Sequence, residues 1–210
     1  MVLPARLGKV TLSLVSFAVL VANLLVFTPS ASAASNLTVG LRPNLITSDS
    51  QGNLFVGNYG DGTVTKISTS GVTTTYANLN SIRAKATALV TDSKDVLYLS
   101  TNSGSVYTVA NDGSLTLFAK VGRKPLAMVF DKNGNLYTAN NTDNTVSKVT
   151  PAGVVTLFAT VKTQPTGLVF DSNNNLYVTN FMDDNVSKIT PNGVTTVFAT
   201  VGSGPQSLVI

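Results

Sequence analysis

The sequence predicts an all-β protein, a β-propeller of four-stranded antiparallel blades, and three observations carry that prediction. A pattern of about 40 residues recurs along the chain, with a marker Asp in successive copies at 49, 92, 131 and 171. Each copy holds four short apolar or β-branched runs separated by Asn, Asp, Gly and Pro. The composition suits strands and tight turns, with 28 Thr and 20 Asn among 210 residues and no Glu.

The first element is an address. Arg6 and Lys9 precede an uncharged run from Val10 to Phe27, Pro29 and Ser30 break it, and Ala31-Ser32-Ala33 has the small-x-small pattern of a cleavage site. Residues 1–33 therefore read as a secretory signal cleaved after Ala33. The alternative is an uncleaved membrane anchor, because the run nearly reaches spanning length, although Thr11, Ser13, Ser16 and Asn23 dilute it. Both readings place the remainder outside the cytoplasm, secreted or in the cell envelope, and membrane contact is expected only through an uncleaved signal segment. Residues 34–42 read as a linker. Beyond residue 33, 12 Lys and Arg face 10 Asp, with no basic run longer than two residues, so no nucleic-acid partner is expected.

The repeats follow at about 43–78, 84–119, 125–160 and 165–200, with a partial copy at 205–210. Pro125 to Asp131 recurs as Pro165 to Asp171, Asn135-Leu136-Tyr137 as Asn175-Leu176-Tyr177, and Val146 to Pro151 as Val186 to Pro191. In the third copy the strands are expected at 125–130, 136–140, 145–149 and 154–159. The turns between them, such as Asp131-Lys132-Asn133-Gly134, suit hairpins because Gly and Asn accept positive φ and Asp caps its own turn. Four strands per period of about 40 residues make one propeller blade. The aromatic at 55, 98, 137 and 177 reads as packing between blades, and the Lys at 66, 148 and 188 as lying across the neighbouring blade with its amine in water.

Asn175 to Asn180 followed by Asn185 to Gly193 resembles the NHL-type repeat and carries the Tyr-Val-Thr-Asn signature of the YVTN repeat. The resemblance spans about 43–210 and extends to the regucalcin/gluconolactonase propellers and the streptogramin lyases. It implies a ring of six blades, or seven in the YVTN group, so four blades plus one strand imply an incomplete propeller, a fragment that associates with itself through open blade faces. Gluconolactonase-like relatives imply a divalent metal held by Glu, Asn and Asp, and streptogramin lyases imply a catalytic His with a Glu.

Catalysis is where the residues depart from that resemblance. With no His, Cys or Glu, the chain has no Ser-His-Asp triad, no thiolate nucleophile and no His-ligated zinc. The loop leading into strand one and the loop between strands two and three open on one face of a blade. That face collects Arg83, Lys85, Arg123, Lys124, Lys162 and Gln164 from the first set. From the second it collects Asn58, Asp61, Asn102, Asn140, Asn141, Asp143, Asn180, Asp183 and Asp184. An Asn is expected to end strand two in every copy. The candidate binding residues are Asn58, Asn102, Asn140, Asn180, Asp143, Asp183 and Asp184, with Asp183-Asp184 the local candidate for Ca²⁺. The competing reading makes each Asn a turn cap. No catalytic residue and no cofactor is assigned. The expected role is a binding or scaffold module for a protein, glycan or small molecule; the alternative is a divergent gluconolactonase-like hydrolase or lyase with a metal in the channel.

Overall fold

The computed structural model describes residues 11–12 and 37–210. The signal and its cleavage site, Thr11–Leu12 apart, lie outside the described residues. β1 (Thr11–Leu12) pairs antiparallel with β2 (Leu37–Thr38). Among the described residues no helix is long and apolar enough to cross a membrane.

The four repeats form four antiparallel sheets in simple meander order. The first blade is β3 (Pro43–Ser48), β4 (Leu54–Asn58), β5 (Thr63–Ile67) and β6 (Thr73–Asn78). The second is β7 (Ala86–Thr91), β8 (Leu97–Thr101), β9 (Ser105–Val109) and β10 (Leu115–Lys120). The third is β11 (Pro125–Phe130), β12 (Leu136–Asn140), β13 (Thr145–Val149) and β14 (Val155–Thr160). The fourth is β15 (Pro165–Phe170), β16 (Leu176–Asn180), β17 (Asn185–Ile189) and β18 (Thr195–Thr200). The first strands stand side by side, β3 against β7, β7 against β11 and β11 against β15, and form the wall of a central cleft. Each is bulged one residue after its first position, at Asn44, Thr87, Leu126 and Thr166. That extra residue turns the cleft end of the strand.

The core lies between blades rather than within them. Leu97, Leu136 and Leu176 begin the second strands and are fully buried, each contributing about 2 kcal/mol by leaving water. Tyr98 makes T-shaped contacts with Phe118 of its own outer strand and Phe130 of the next blade, with centroids 5.1 Å from each. Tyr137 repeats this with Phe158 at 4.9 Å and Phe170 at 5.0 Å. The strand-three lysines differ from expectation: Lys148 and Lys188 place Nζ 5.6 Å from the rings of Tyr137 and Tyr177 within their own blade. Each is the direct cross-strand neighbour of its tyrosine, which brings the amine over the ring.

The segments flanking the four blades pack against them. Val39 is buried beside Val56 and Ile67, and Gly40 packs on Asn58 as Gly122 packs on Asn140. Residues 39–42 therefore repeat 121–124 and lead into the first blade. Residues 205–210 run beside β15, where the hydroxyl of Thr166 donates to the carbonyl of Pro205 at 2.9 Å, but they pair into no sheet.

Candidate functional site

Two faces follow from the meander. On the far face, Asp131 accepts the backbone N–H groups of Asn133 and Asn135, each at 2.9 Å, and Asp171 accepts those of Asn173 at 2.9 Å and Asn175 at 2.8 Å. Asp49 and Asp92 sit in the same register and cap the same turn. Burial alone would raise the pKa of Asp131; the Asn135 side chain and the backbone donors outweigh it and hold the group below the usual carboxylate range.

On the near face, a latch recurs with a spacing of 20 residues. Asp61 accepts from Leu41 N–H at 2.8 Å, Asp143 from Arg123 N–H at 2.6 Å, and Asp183 from Thr163 N–H. A second latch reaches the following repeat: Asn144 accepts from Gln164 N–H and Asp184 from Gly204 N–H, both at 2.9 Å. Asp183 and Asp184 thus point to different loops, each carboxylate engaged by a backbone amide. Asp143 also pairs with the Arg123 guanidinium at 2.9 Å. The Arg123 backbone donor, with that guanidinium, holds Asp143 below the ordinary carboxylate range, and the Thr163 amide does the same for Asp183.

Asn58, Asn140 and Asn180 end their second strands and are buried inside the blade. The Asn140 amide donates to Thr145 at 3.0 Å and to Ser147 at 2.8 Å, tying strand two to strand three. Asn102 departs from the expected position. The second blade ends β8 at Thr101, and Asn102 follows it as an exposed turn residue. The turn from Thr101 to Ser105 is one residue shorter than that from Asn140 to Thr145, so matching by residue type shifts the register. The same deletion leaves the second blade with no acid in this loop.

The candidate residues therefore do not converge on one point. What does converge is a cleft of about 680 Å³ lined by the first strands and by residues 206–208. It joins an upper chamber of about 530 Å³ over the first three blades, through the shared residues Asn44, Thr87, Lys124 and Leu126. Sequence reasoning placed Lys124 and Gln164 on this face but missed Asn44, Thr87 and Gln206. The signal was available: Asn44 and Thr87 follow the Pro or Ala that opens a first strand, and Gln206 follows the matching Pro205. Arg42, Lys124 and Gln164, immediately before Pro43, Pro125 and Pro165, hold φ of 51°, 51° and 58°. That left-handed backbone is costly for residues with a Cβ.

The divalent metal that the gluconolactonase resemblance implies does not fit this lining. Lys124 stands in it and no carboxylate does, whereas a hard cation takes several oxygen ligands, usually including Asp or Glu. Among the described residues no three acidic groups stand close enough to share an ion.

Blades of this order around an axial cleft define a β-propeller. The chain belongs to the virginiamycin B lyase family, whose model matches residues 28–207. Its fold is similar to virginiamycin B lyase from Staphylococcus aureus, at 19% identity and a TM-score of 0.66 over 74% of this chain and 55% of that one. A catalytically inactive His-to-Ala variant of the S. aureus lyase with quinupristin superposes with a TM-score of 0.71 at 16% identity, over 80% of this chain and 59% of that one. A putative gluconolactonase superposes with a TM-score of 0.63 at 17% identity, over 79% of this chain and 66% of its own. At these identities the likeness is one of fold, and this chain spans little more than half the length of the lyases. No curated protein matches it.

Proposed function

We propose that the chain acts as an extracytoplasmic binding module whose axial cleft receives its ligand without catalysis by these residues. One observation carries the reading: the cleft and chamber are walled by amides, hydroxyls, apolar side chains and the cations Arg123 and Lys124, with no carboxylate among them. The four near-face carboxylates are engaged as caps. A carboxylate or imidazole acting as general acid or base must stand within reach of the substrate, and neither lines the cleft. The S. aureus relative is inactivated by losing a His, and these 210 residues contain none.

Family membership favours a second reading, a lyase or lactone hydrolase. Incubation with quinupristin and with gluconolactone across pH 5 to 9, with and without Ca²⁺, separates the two by mass spectrometry. Unchanged substrate in every arm is the expected result. Turnover that disappears in Asp183→Ala or Asp184→Ala would replace the binding reading with the catalytic one.

A further inference from the structure

The two faces carry different charge. Over residues 37–210 the near face holds seven cations, Lys120 among them, against four carboxylates, whereas the far face holds five cations against six. The near-face carboxylates are further committed to backbone amides, so the excess positive charge is what a ligand meets. Within that face the residue preceding each first strand is Arg42, Lys85, Lys124, Gln164 and Gly204 in successive repeats. The three cations of this ring belong to the three blades that enclose the upper chamber.

These cations are not equivalent. Arg42 lies over the Tyr59 ring at 5.4 Å, and Lys85 Nζ donates to the carbonyl of Gly60 at 3.3 Å. Lys124 Nζ has no acceptor among the described residues, yet its backbone is clamped on both sides. Its N–H donates to Asn102 and its carbonyl accepts from Asn141, both at 3.0 Å. The left-handed φ of 51° costs about 1–2 kcal/mol in a residue with a Cβ. Gly204 at φ 66° shows the same repeat position filled without that cost. These backbone hydrogen bonds hold Lys124 at the junction of chamber and cleft, with Asn44, Asn102 and Thr142 around it, Arg123 beside it paired with Asp143, and no acid in the lining.

We propose that the upper chamber is an oxyanion site, which takes a sugar-sized polar molecule through a carboxylate or phosphate held by Lys124. Asn44, Asn102 and Thr142 hydrogen-bond the ligand's polar body. The volume suits one such molecule, and a positively charged cleft concentrates anions at its mouth. This inference rests on the binding reading above and adds the ligand class to it.

Calorimetry on the full chain, with glucuronate, glucose 6-phosphate and glucose at low salt, tests it. Both anions should bind and glucose should not; the two anion arms separate carboxylate from phosphate as the preferred group. Added salt should weaken binding, as for any exposed ion pair. Lys124→Gln should weaken both anions about tenfold or more, the value of one charge-assisted hydrogen bond. Lys124→Gly, which relieves the backbone while removing the amine, should do the same in a chain that melts no lower than the parent. Arg83→Gln, on the same face outside the chamber, should leave affinity within about twofold. Equal binding of glucose, or full affinity in Lys124→Gly, overturns the anion site. Quinupristin binding that Ala127→Phe abolishes would keep the cleft as a binding site even then; if no ligand of either kind binds, both readings fall.

Discussion

At the residue scale, the three buried strand-end asparagines share a position but not a complete set of partners. Asn140 is satisfied at both ends of its amide, because Thr138 donates to its carbonyl oxygen at 2.9 Å. Asn58 and Asn180 make the equivalent donor contacts to strand three, but their Oδ1 atoms are buried without a hydrogen bond. The residue two positions earlier explains the difference: Thr138 is replaced by Val56 and Val178. A buried carbonyl without a donor costs about 1–3 kcal/mol, more than the methyl that a Val→Thr change gives up. Val56→Thr and Val178→Thr should each stabilise the protein by about 1 kcal/mol, a rise of roughly 2–4 °C in Tm. Val129→Thr, with no such acceptor beside it, is the control and should lower the melting temperature. Unchanged or lower Tm in both test variants would show that the orphaned oxygens are already satisfied by water.

At the element scale, the turn joining strands three and four touches the previous blade. A Cβ on Gly113, Gly153 or Gly193 would lie 2.5, 2.9 or 2.7 Å from the backbone carbonyl of Tyr76, Phe118 or Phe158. All three have φ near +80°. Gly134 has φ +77° as well, but its Cβ would meet only Pro151 at 3.7 Å. Chemical denaturation of Gly134→Ala should therefore show a loss of about 1 kcal/mol, the backbone cost alone. Gly153→Ala should lose at least about 1 kcal/mol more, because a carbonyl of the neighbouring blade must move. Equal losses would mean that the blades shift freely against each other. The contrast also marks what was legible. Both turns are plain in sequence from their Gly and Asn or Pro, since turn chemistry is local. The carbonyl of Phe118 over Gly153 is not, since it comes from another repeat. The strand-two cap at Asn102 was misplaced because Thr101 holds the ladder position of Asn140, so matching Asn to Asn slips the register by one.

At the scale of the whole molecule, the repeat specified the blades and the face that each loop charge occupies, because both depend on which turn a residue occupies. It did not specify the cleft, whose lining comes from the bulged starts of strands 40 residues apart. The same partition governs how stability follows pH. The pKa values of Asp131, Asp143, Asp171 and Asp183 are lowered on folding, chiefly by the Asn135, Arg123, Asn175 and Thr163 donors that cap them. A group whose folded pKa lies below its unfolded one stabilises the fold above the unfolded pKa, about 3.9 for Asp, and loses that contribution as pH falls through the folded value. Tyr98 and Tyr137 shift the other way, raised first by burial and then by Asp92 and Asp131. Their contribution is complete below the unfolded tyrosine pKa, near 10, and is lost as pH rises above it. Between these limits the chain has no side chain that titrates, because it lacks His and Cys. Thermal melts should therefore give a flat Tm from about pH 5 to 9, a steep fall below about pH 4 and a second fall above about pH 10. The acid limb should soften in Asp143→Asn, which keeps an acceptor for the Arg123 amide without a titrating proton. A fall in Tm between pH 7 and pH 5 would sink this account, since no capping carboxylate gains a proton there.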